Sequence, residues 1–374
     1  MPLGQLKNRV YQLALPVLGK KSPIRGEGEL EKILKKHHVQ GCCIQCFDAN
    51  GLGAVYCAGL ARKGVKAGED TVFRTASLAK TVTALLVFRL QTKGLLDVGE
   101  DLIRLWGEPI TSPYAPGAPV TLGMLLSHTS RLRDSEAYFA SFAHPLKAEE
   151  LLGSEESWLP GIPGTGFCYS NFGGGLIGCI LEKAFGESLE TLFQRELFAP
   201  LGVEATFDLT KVPRERLGDS FRVLPPKKAF DGAARQSSAQ PLTEADPQHH
   251  YLFTSGNLYL RSKDLARLIQ TALTPGFLDE RSLKQLRTPL LGWPDQRVKM
   301  RHGMGLFLLE DDQVLSRPVW GHQGFAYGAV NGVFFDEAGK GFAMLNSGAA
   351  ESRIGHLSAL NRDLLQLLME EREP

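Results

Sequence analysis

The chain has 374 residues, 43% hydrophobic and 22% charged, with a formal net charge of +1 at pH 7, the make-up of a globular protein with ample length for one large core or two subdomains. The near-neutral balance, with no basic block and interleaved aromatics, excludes nucleic acid and anionic membrane surfaces as expected partners. No apolar run approaches the ~20 residues needed to span a bilayer.

Lys7 and Arg9 precede a short apolar run, Val10 to Leu18, that is faintly signal-like. It contains Gln12 and leads to no small-x-small cleavage site. A cytoplasmic protein is therefore expected, with export left open. Leu30, Ile33 and Leu34 form one stripe of a helix over Glu29 to His38. Cys42 to Phe47 and Ala54 to Leu60 read as two strands of a hairpin around Asp48–Gly53, and Arg62 to Asp70 as a polar loop. The six cysteines (42, 43, 46, 57, 168 and 179) read as small buried hydrophobes in a reducing compartment. Cys43 and Cys46 have redox-pair spacing, but their segment alternates like a strand instead of opening a helix.

A helix is predicted from Ser77, with Leu78, Val82, Leu85 and Leu86 on its buried side and Gly94 as its stop. From there to about residue 310 the pattern is helices and long loops. Thr121 caps a short helix to Ser127. Trp158 to Gly166 is a Pro/Gly loop ending in Phe167-Cys168-Tyr169-Ser170-Asn171, and helical spacing resumes at Leu176. Arg222 to His250 is a polar excursion of the kind that borders sites. Ser262 is expected to cap a helix reaching Leu273, with Asp264 in its first turn. Val319–Gly321, Ala329–Phe335 and Gly341–Asn346 are strand-like, the last two joined by a turn over residues 336–340, and a closing helix carries Ile354, Leu357, Leu360, Leu364 and Leu368. Strands at both ends with helices between them predict an α+β fold. Its antiparallel sheet subdomain comes from residues 1–74 and 311–374, a helical subdomain from 75–310, and the active site lies between them.

Three clusters carry chemistry. Ser77 and Lys80, at i and i+3, meet on one helix face, and a lysine able to lose its proton can activate a hydroxyl without histidine. Tyr169 and Asn171, two apart in a loop, offer a phenol and a carboxamide on one side. His322-Gln323-Gly324 ends a strand, where Gly324 lets a substrate approach the backbone. Each also has an ordinary reading: a capped helix with an exposed lysine, turn residues, a buried structural histidine. His128 reads as structural. Asp246, His249 and His250 lack a third ligand at metal spacing, so no metal site is expected. There is no Gly-x-Ser-x-Gly elbow and no phosphate loop, and Gly51 to Tyr56 fails the dinucleotide pattern.

Taken together, Ser77-Leu78-Ala79-Lys80, Tyr169-Ser170-Asn171 and His322-Gln323-Gly324 resemble the three motifs of the serine β-lactamase and penicillin-binding superfamily. The branch is that of class C β-lactamases, DD-peptidases and related carboxylesterases and D-aminopeptidases. Flanking pieces match too: Thr71-Val72-Phe73-Arg74, Leu125-Leu126-Ser127-His128-Thr129-Ser130, Pro163-Gly164, Pro200-Leu201-Gly202 and Ser262 to Arg267. The resemblance runs from about residue 28 to 370 and implies a cofactor-independent serine hydrolase acting on a small-molecule ester or amide, β-lactam and D-amino-acyl types included. It implies an acyl-enzyme on Ser77, a general-base role shared by Lys80 and Tyr169, and an oxyanion hole from the backbone N–H groups of Ser77 and Phe325. Asn171 and His322 would contact or orient the substrate.

Two departures accompany it. Class C β-lactamases place a lysine where this chain has His322, and histidine there resembles the DD-peptidase and esterase members instead. Arg131 stands where the family usually has glycine, which suggests a different local turn, because non-glycine residues resist positive φ. An acyltransferase, or a slow acyl-trapping sensor, would use the same residues.

Overall fold

The structure, a computed structural model, describes residues 26–370 except 274 and 296; the apolar stretch from Val10 to Leu18 lies outside the described residues. Strand β1 (Gly41–Asp48) is apolar at almost every position because both its faces are covered. Cys42 and Ile44 join one core cluster, Cys43 and Phe47 the other, as a two-residue period requires. Its antiparallel partner β2 (Gly51–Arg62) closes the expected hairpin. β2 also pairs with a two-residue strand, β3 (Val65–Lys66), inside the stretch read as loop.

The other strands come from the C-terminal part: β4 (Leu291–Gly292), β5 (Met300–His302), β6 (Phe307–Leu309), β7 (Val319–Ala326), β8 (Ala329–Phe335) and β9 (Gly341–Asn346). They build one nine-stranded antiparallel sheet in the order β3-β2-β1-β9-β8-β7-β6-β5-β4. The two ends of the chain meet where Cys42 lies opposite Asn346. Three strands between residues 75 and 310 (β4, β5 and β6) belong to this sheet, where the sequence reads as helix and loop. Strands of two or three residues are too short to display alternation.

Helix α1 (Glu27–Lys36) and helix α5 (Ala359–Leu368) cover one face through Leu30, Leu34, Leu360, Leu364 and Leu365. The closing helix starts later than its apolar spacing suggests. Ile354 and Leu357 instead form a small ladder turning at Gly355 (φ +57°), and Ser358 caps α5 by accepting from Asn361 N–H.

The other face carries α2 (Leu78–Thr92) and α4 (Ser262–Gln270), and α3 (Asn171–Phe185) packs against α2. Nearly every residue of α2 is buried, so it is a central helix and not a surface one. Ser262 does not cap α4: Arg261 takes the cap position and pairs with Asp264, while Ser262 Oγ donates to the Cys43 carbonyl at 2.8 Å. That bond ties α4 to β1. The polar excursion is also ordered, into a hairpin (Ser220–Val223 with Pro226–Phe230) and a helix (Gly232–Ser238).

Candidate active site

Phe73–Arg74 forms a short strand against Tyr259–Leu260, and the chain then turns sharply into α2. Ala76 takes a left-handed backbone (φ +52°), a conformation that costs a non-glycine residue about 1 kcal/mol or more. The turn is held from several sides. Thr75 N–H donates to the Leu258 carbonyl at 2.9 Å, and Asn331 Nδ2 donates to the carbonyls of Arg74 and Thr75, each at 3.1 Å. Ser77 follows at the N-cap of α2, yet its side chain makes no capping bond. Its hydroxyl is therefore left for Lys80, whose Nζ lies 3.2 Å from Ser77 Oγ.

Lys80 is only 5% exposed. Its Nζ donates to Asn171 Oδ1 at 2.9 Å and to the Ser255 carbonyl at 2.5 Å. Burial lowers its pKa to about 7; Asp134 opposes the shift and Arg74 adds to it. With the amine neutral, its two N–H bonds satisfy those two acceptors and its lone pair is left for the Ser77 hydroxyl. Room for this lysine comes from α3: a Cβ on Gly174 would stand 2.7 Å from Lys80 Cε.

Asn171 is the first residue of α3, not a loop residue, and Ser170 is the N-cap, accepting from Gly173 N–H. A run of three glycines disfavours a helix, which is why apolar spacing alone starts it near Leu176. The Asn171 carboxamide bridges two protein groups: its oxygen accepts from Lys80 and its Nδ2 donates to Asp134 Oδ2 at 2.8 Å. Asp134 also accepts from Ser170 Oγ and Phe172 N–H, so a carboxylate closes the start of α3 and faces the lysine through Asn171. Asp134 sits in an ordinary-looking polar segment, Arg133-Asp134-Ser135, and no local pattern marks it.

Tyr169 is placed by His128, whose carbonyl accepts from Cys168 N–H (2.8 Å) and whose Nδ1 accepts from Ser170 N–H (3.2 Å). The imidazole lies 4.2 Å from the phenol ring, and Trp293 stacks on the phenol at 5.7 Å. Tyr169 is hydrogen-bonded to Ser77, which favours its ionised form, but burial prevails and drives its pKa well up. Arg131 keeps the left-handed conformation (φ +70°) despite its side chain. The turn is retained because the guanidinium bonds the Pro160 carbonyl and the Arg131 carbonyl accepts from Leu159 N–H at 2.8 Å.

His322 lies on β7 and is 3% exposed. Its Nδ1 is 2.8 Å from the Gln323 carbonyl, an acceptor, so Nδ1 carries the proton and Nε2 is the free acceptor. Burial, with Lys80 nearby, lowers its pKa to about 3, so this imidazole is neutral. Ser77, Tyr169, Asn171, His322 and Phe325 line a cavity of about 260 Å³, together with Trp293, His302, His356 and Arg353. Those last four are not singled out by sequence patterns, because β4, β5 and the 353–358 ladder are too short to read. Gly324 does not line the cavity. A Cβ there would stand 2.4 Å from the Thr75 carbonyl, so glycine at 324 lets β7 close on the serine turn instead of clearing space for substrate. His249 pairs with Asp246 and His250 with Glu182.

Against known proteins, D-alanyl-D-alanine-carboxypeptidase/endopeptidase AmpH of Escherichia coli is 28% identical over 141 residues, covering 37% of this chain and 37% of that protein. Penicillin-binding protein 4* of Bacillus subtilis is 33% identical over 149 residues, covering 37% of this chain and 30% of that protein. The matches thus span about a third of these relatives' length. Among solved structures, EstCE1, described as a hydrolase with promiscuous acyltransferase activity, superposes with a TM-score of 0.73 at 20% identity, over 92% of this chain and 97% of that one. That likeness establishes a shared fold. The family model described as Beta-lactamase matches residues 47–364, and the chain therefore belongs to the Beta-lactamase family.

Proposed function

We propose that this protein is a serine hydrolase that cleaves a carboxylic ester or amide through an acyl-Ser77 intermediate. The observation that carries the reading is the Lys80 amine, 3.2 Å from Ser77 Oγ and held by burial at a pKa of about 7. Such a lysine is substantially neutral at physiological pH and can take the serine proton. Tyr169 is pushed the other way, so its phenol stays protonated and acts as donor and relay; the two residues divide the proton work instead of sharing the base role.

In the acylation step, Ser77 Oγ bonds to the substrate carbonyl carbon and its proton passes to Lys80. The N–H groups of Ser77 and Phe325 receive the oxyanion. As the bond from carbon to the leaving oxygen or nitrogen breaks, Tyr169 delivers a proton to that atom and is resupplied from Lys80. Water then attacks the acyl ester, gives up its proton along the same path, and restores Ser77 with release of the acid. His322, neutral and with Nε2 as acceptor, suits a donor on the leaving group and not a fixed carboxylate. On this reading the site lies between the sheet part of the molecule and the helical part, and no step calls for a cofactor.

The test is intact-mass measurement after incubation with a fluorophosphonate or a penicillin. A single covalent adduct on the wild-type protein, absent in Ser77→Ala, is expected. Folded wild-type protein that forms no adduct with either reagent would overturn the proposal. Product analysis with an added alcohol separates hydrolysis from acyl transfer.

A further inference from the structure

Ser77 stands between two cavities. The smaller one holds Tyr169 and His322; the other, of about 900 Å³, shares Ser77, Asn171 and Phe325 with it but contains neither Tyr169 nor His322. On the hydrolase reading above, the residue that protonates the leaving atom must touch it. The leaving group therefore occupies the small cavity and the acyl group the large one.

The large cavity has an uneven lining. One wall is apolar, with Phe139 and Phe142 more than half exposed at its edge. The other carries three guanidinium groups, from Arg74, Arg222 and Arg235, and no aspartate or glutamate lines the cavity. Among the described residues none of these arginines has a carboxylate within ion-pair distance. Arg74 is held by Asn257 Oδ1 at 2.8 Å and by the Tyr327 ring at 4.9 Å, both neutral partners. Arg74 and Arg235 are also close enough to repel each other electrostatically. Other arginines without a carboxylate bond backbone carbonyls, as Arg62 does that of Arg214 and Arg267 that of Gly202. Arg222 and Arg235 are exposed and Arg74 is half-buried, so their charges face the hollow with no protein carboxylate among its lining, and a guanidinium fork matches a carboxylate in two parallel hydrogen bonds.

We infer that the acyl group of the substrate carries a carboxylate at the end remote from the scissile carbonyl, received by Arg74, Arg222 and Arg235, with its carbon chain along the apolar wall. The inference rests on the acyl-enzyme reading for the direction of binding, but the anion site itself does not need catalysis to be detected.

Two p-nitrophenyl esters of equal acyl length decide it: the hemiester of glutaric acid and the ester of valeric acid. The wild-type protein should favour the glutaryl ester at least about tenfold in kcat/KM. In Arg222→Gln/Arg235→Gln that ratio should fall towards one, and Arg235→Lys, which keeps the charge, should retain most of it. A wild-type ratio at or below one, or a ratio unmoved in the double variant, overturns the inference. If neither ester acylates Ser77, the adduct measurement above decides the hydrolase reading, and calorimetric titration of Ser77→Ala with glutarate decides the anion site alone. Binding that is lost on adding Arg222→Gln/Arg235→Gln supports it, and no binding removes it.

Discussion

Because burial holds Lys80 at about 7, its neutral, proton-accepting fraction rises as pH climbs through that value. The kcat/KM for an ester substrate should therefore increase between about pH 6 and about pH 8 and then level off. His322, lowered to about 3, should add no limb near the usual histidine range. Lys80→Arg keeps a cation that cannot deprotonate and should lose about 100-fold or more in kcat/KM, together with the rising limb. Asp134→Asn removes the charge that holds the lysine proton on, so the limb should move to lower pH. A profile flat across this window would remove Lys80 as the base. These residues differ in how far sequence exposes them. Ser77, Lys80, Tyr169 and His322 stand in recognisable short patterns. Asp134 acts across 37 positions on Asn171, and nothing in its own neighbourhood records that contact. Gly324 is visible as a glycine, but its reason is not: the group it accommodates is a backbone carbonyl, that of Thr75, about 250 residues earlier in the chain.

At the level of elements, the glycine run that opens α3 trades helix propensity for approach. Replacing a mid-helix glycine by alanine ordinarily gains about 1 kcal/mol. At Gly175 that gain is overwhelmed, since a Cβ would lie 1.6 Å from the Tyr251 carbonyl, and overpacking against backbone costs about 1–3 kcal/mol or more. At Gly174 the obstacle is a flexible lysine stem at 2.7 Å. Gly175→Ala should thus lower the melting temperature and impair folding, whereas Gly174→Ala should fold with a melting temperature near that of the wild type and lose activity by displacing Lys80. Thermal unfolding followed by circular dichroism, with ester turnover alongside, checks both; equal stability loss in the two variants would contradict the assignment. Long elements with clear periods, such as β1, α2, β8 and β9, are legible in sequence, as is the Thr121 cap. The strands at 291–309 and the start of α3 are not, because tertiary pairing and close packing override weak local preference there.

Across the whole molecule, sheet and serine turn are joined by a chain of buried amides. Asn331 on β8 donates to the Arg74 and Thr75 carbonyls, accepts from Asn346 N–H at 3.0 Å, and offers its own carbonyl to Asn361 on α5 at 3.2 Å. Asn331→Ala strands several of these groups, each worth about 1–3 kcal/mol when left unpaired. It should lower both the melting temperature and kcat, although residue 331 lines neither cavity; unchanged kcat in a destabilised variant would mean that the turn needs no such support. The pairing of β1 with β9 also has a bearing on synthesis. Those partners are separated by roughly 300 residues, and at about 5–20 residues per second a ribosome needs about 15–60 s to span that gap. Throughout that interval the first hairpin is a nascent sheet with an unpaired edge, and Ser77 and Lys80 are already translated while β7 is not there to close over them. On the proposed mechanism, the protein thus emerges with Ser77 and Lys80 not yet assembled into a site and an adhesive edge open, a window in which chaperones have a client and the serine has no means of attack.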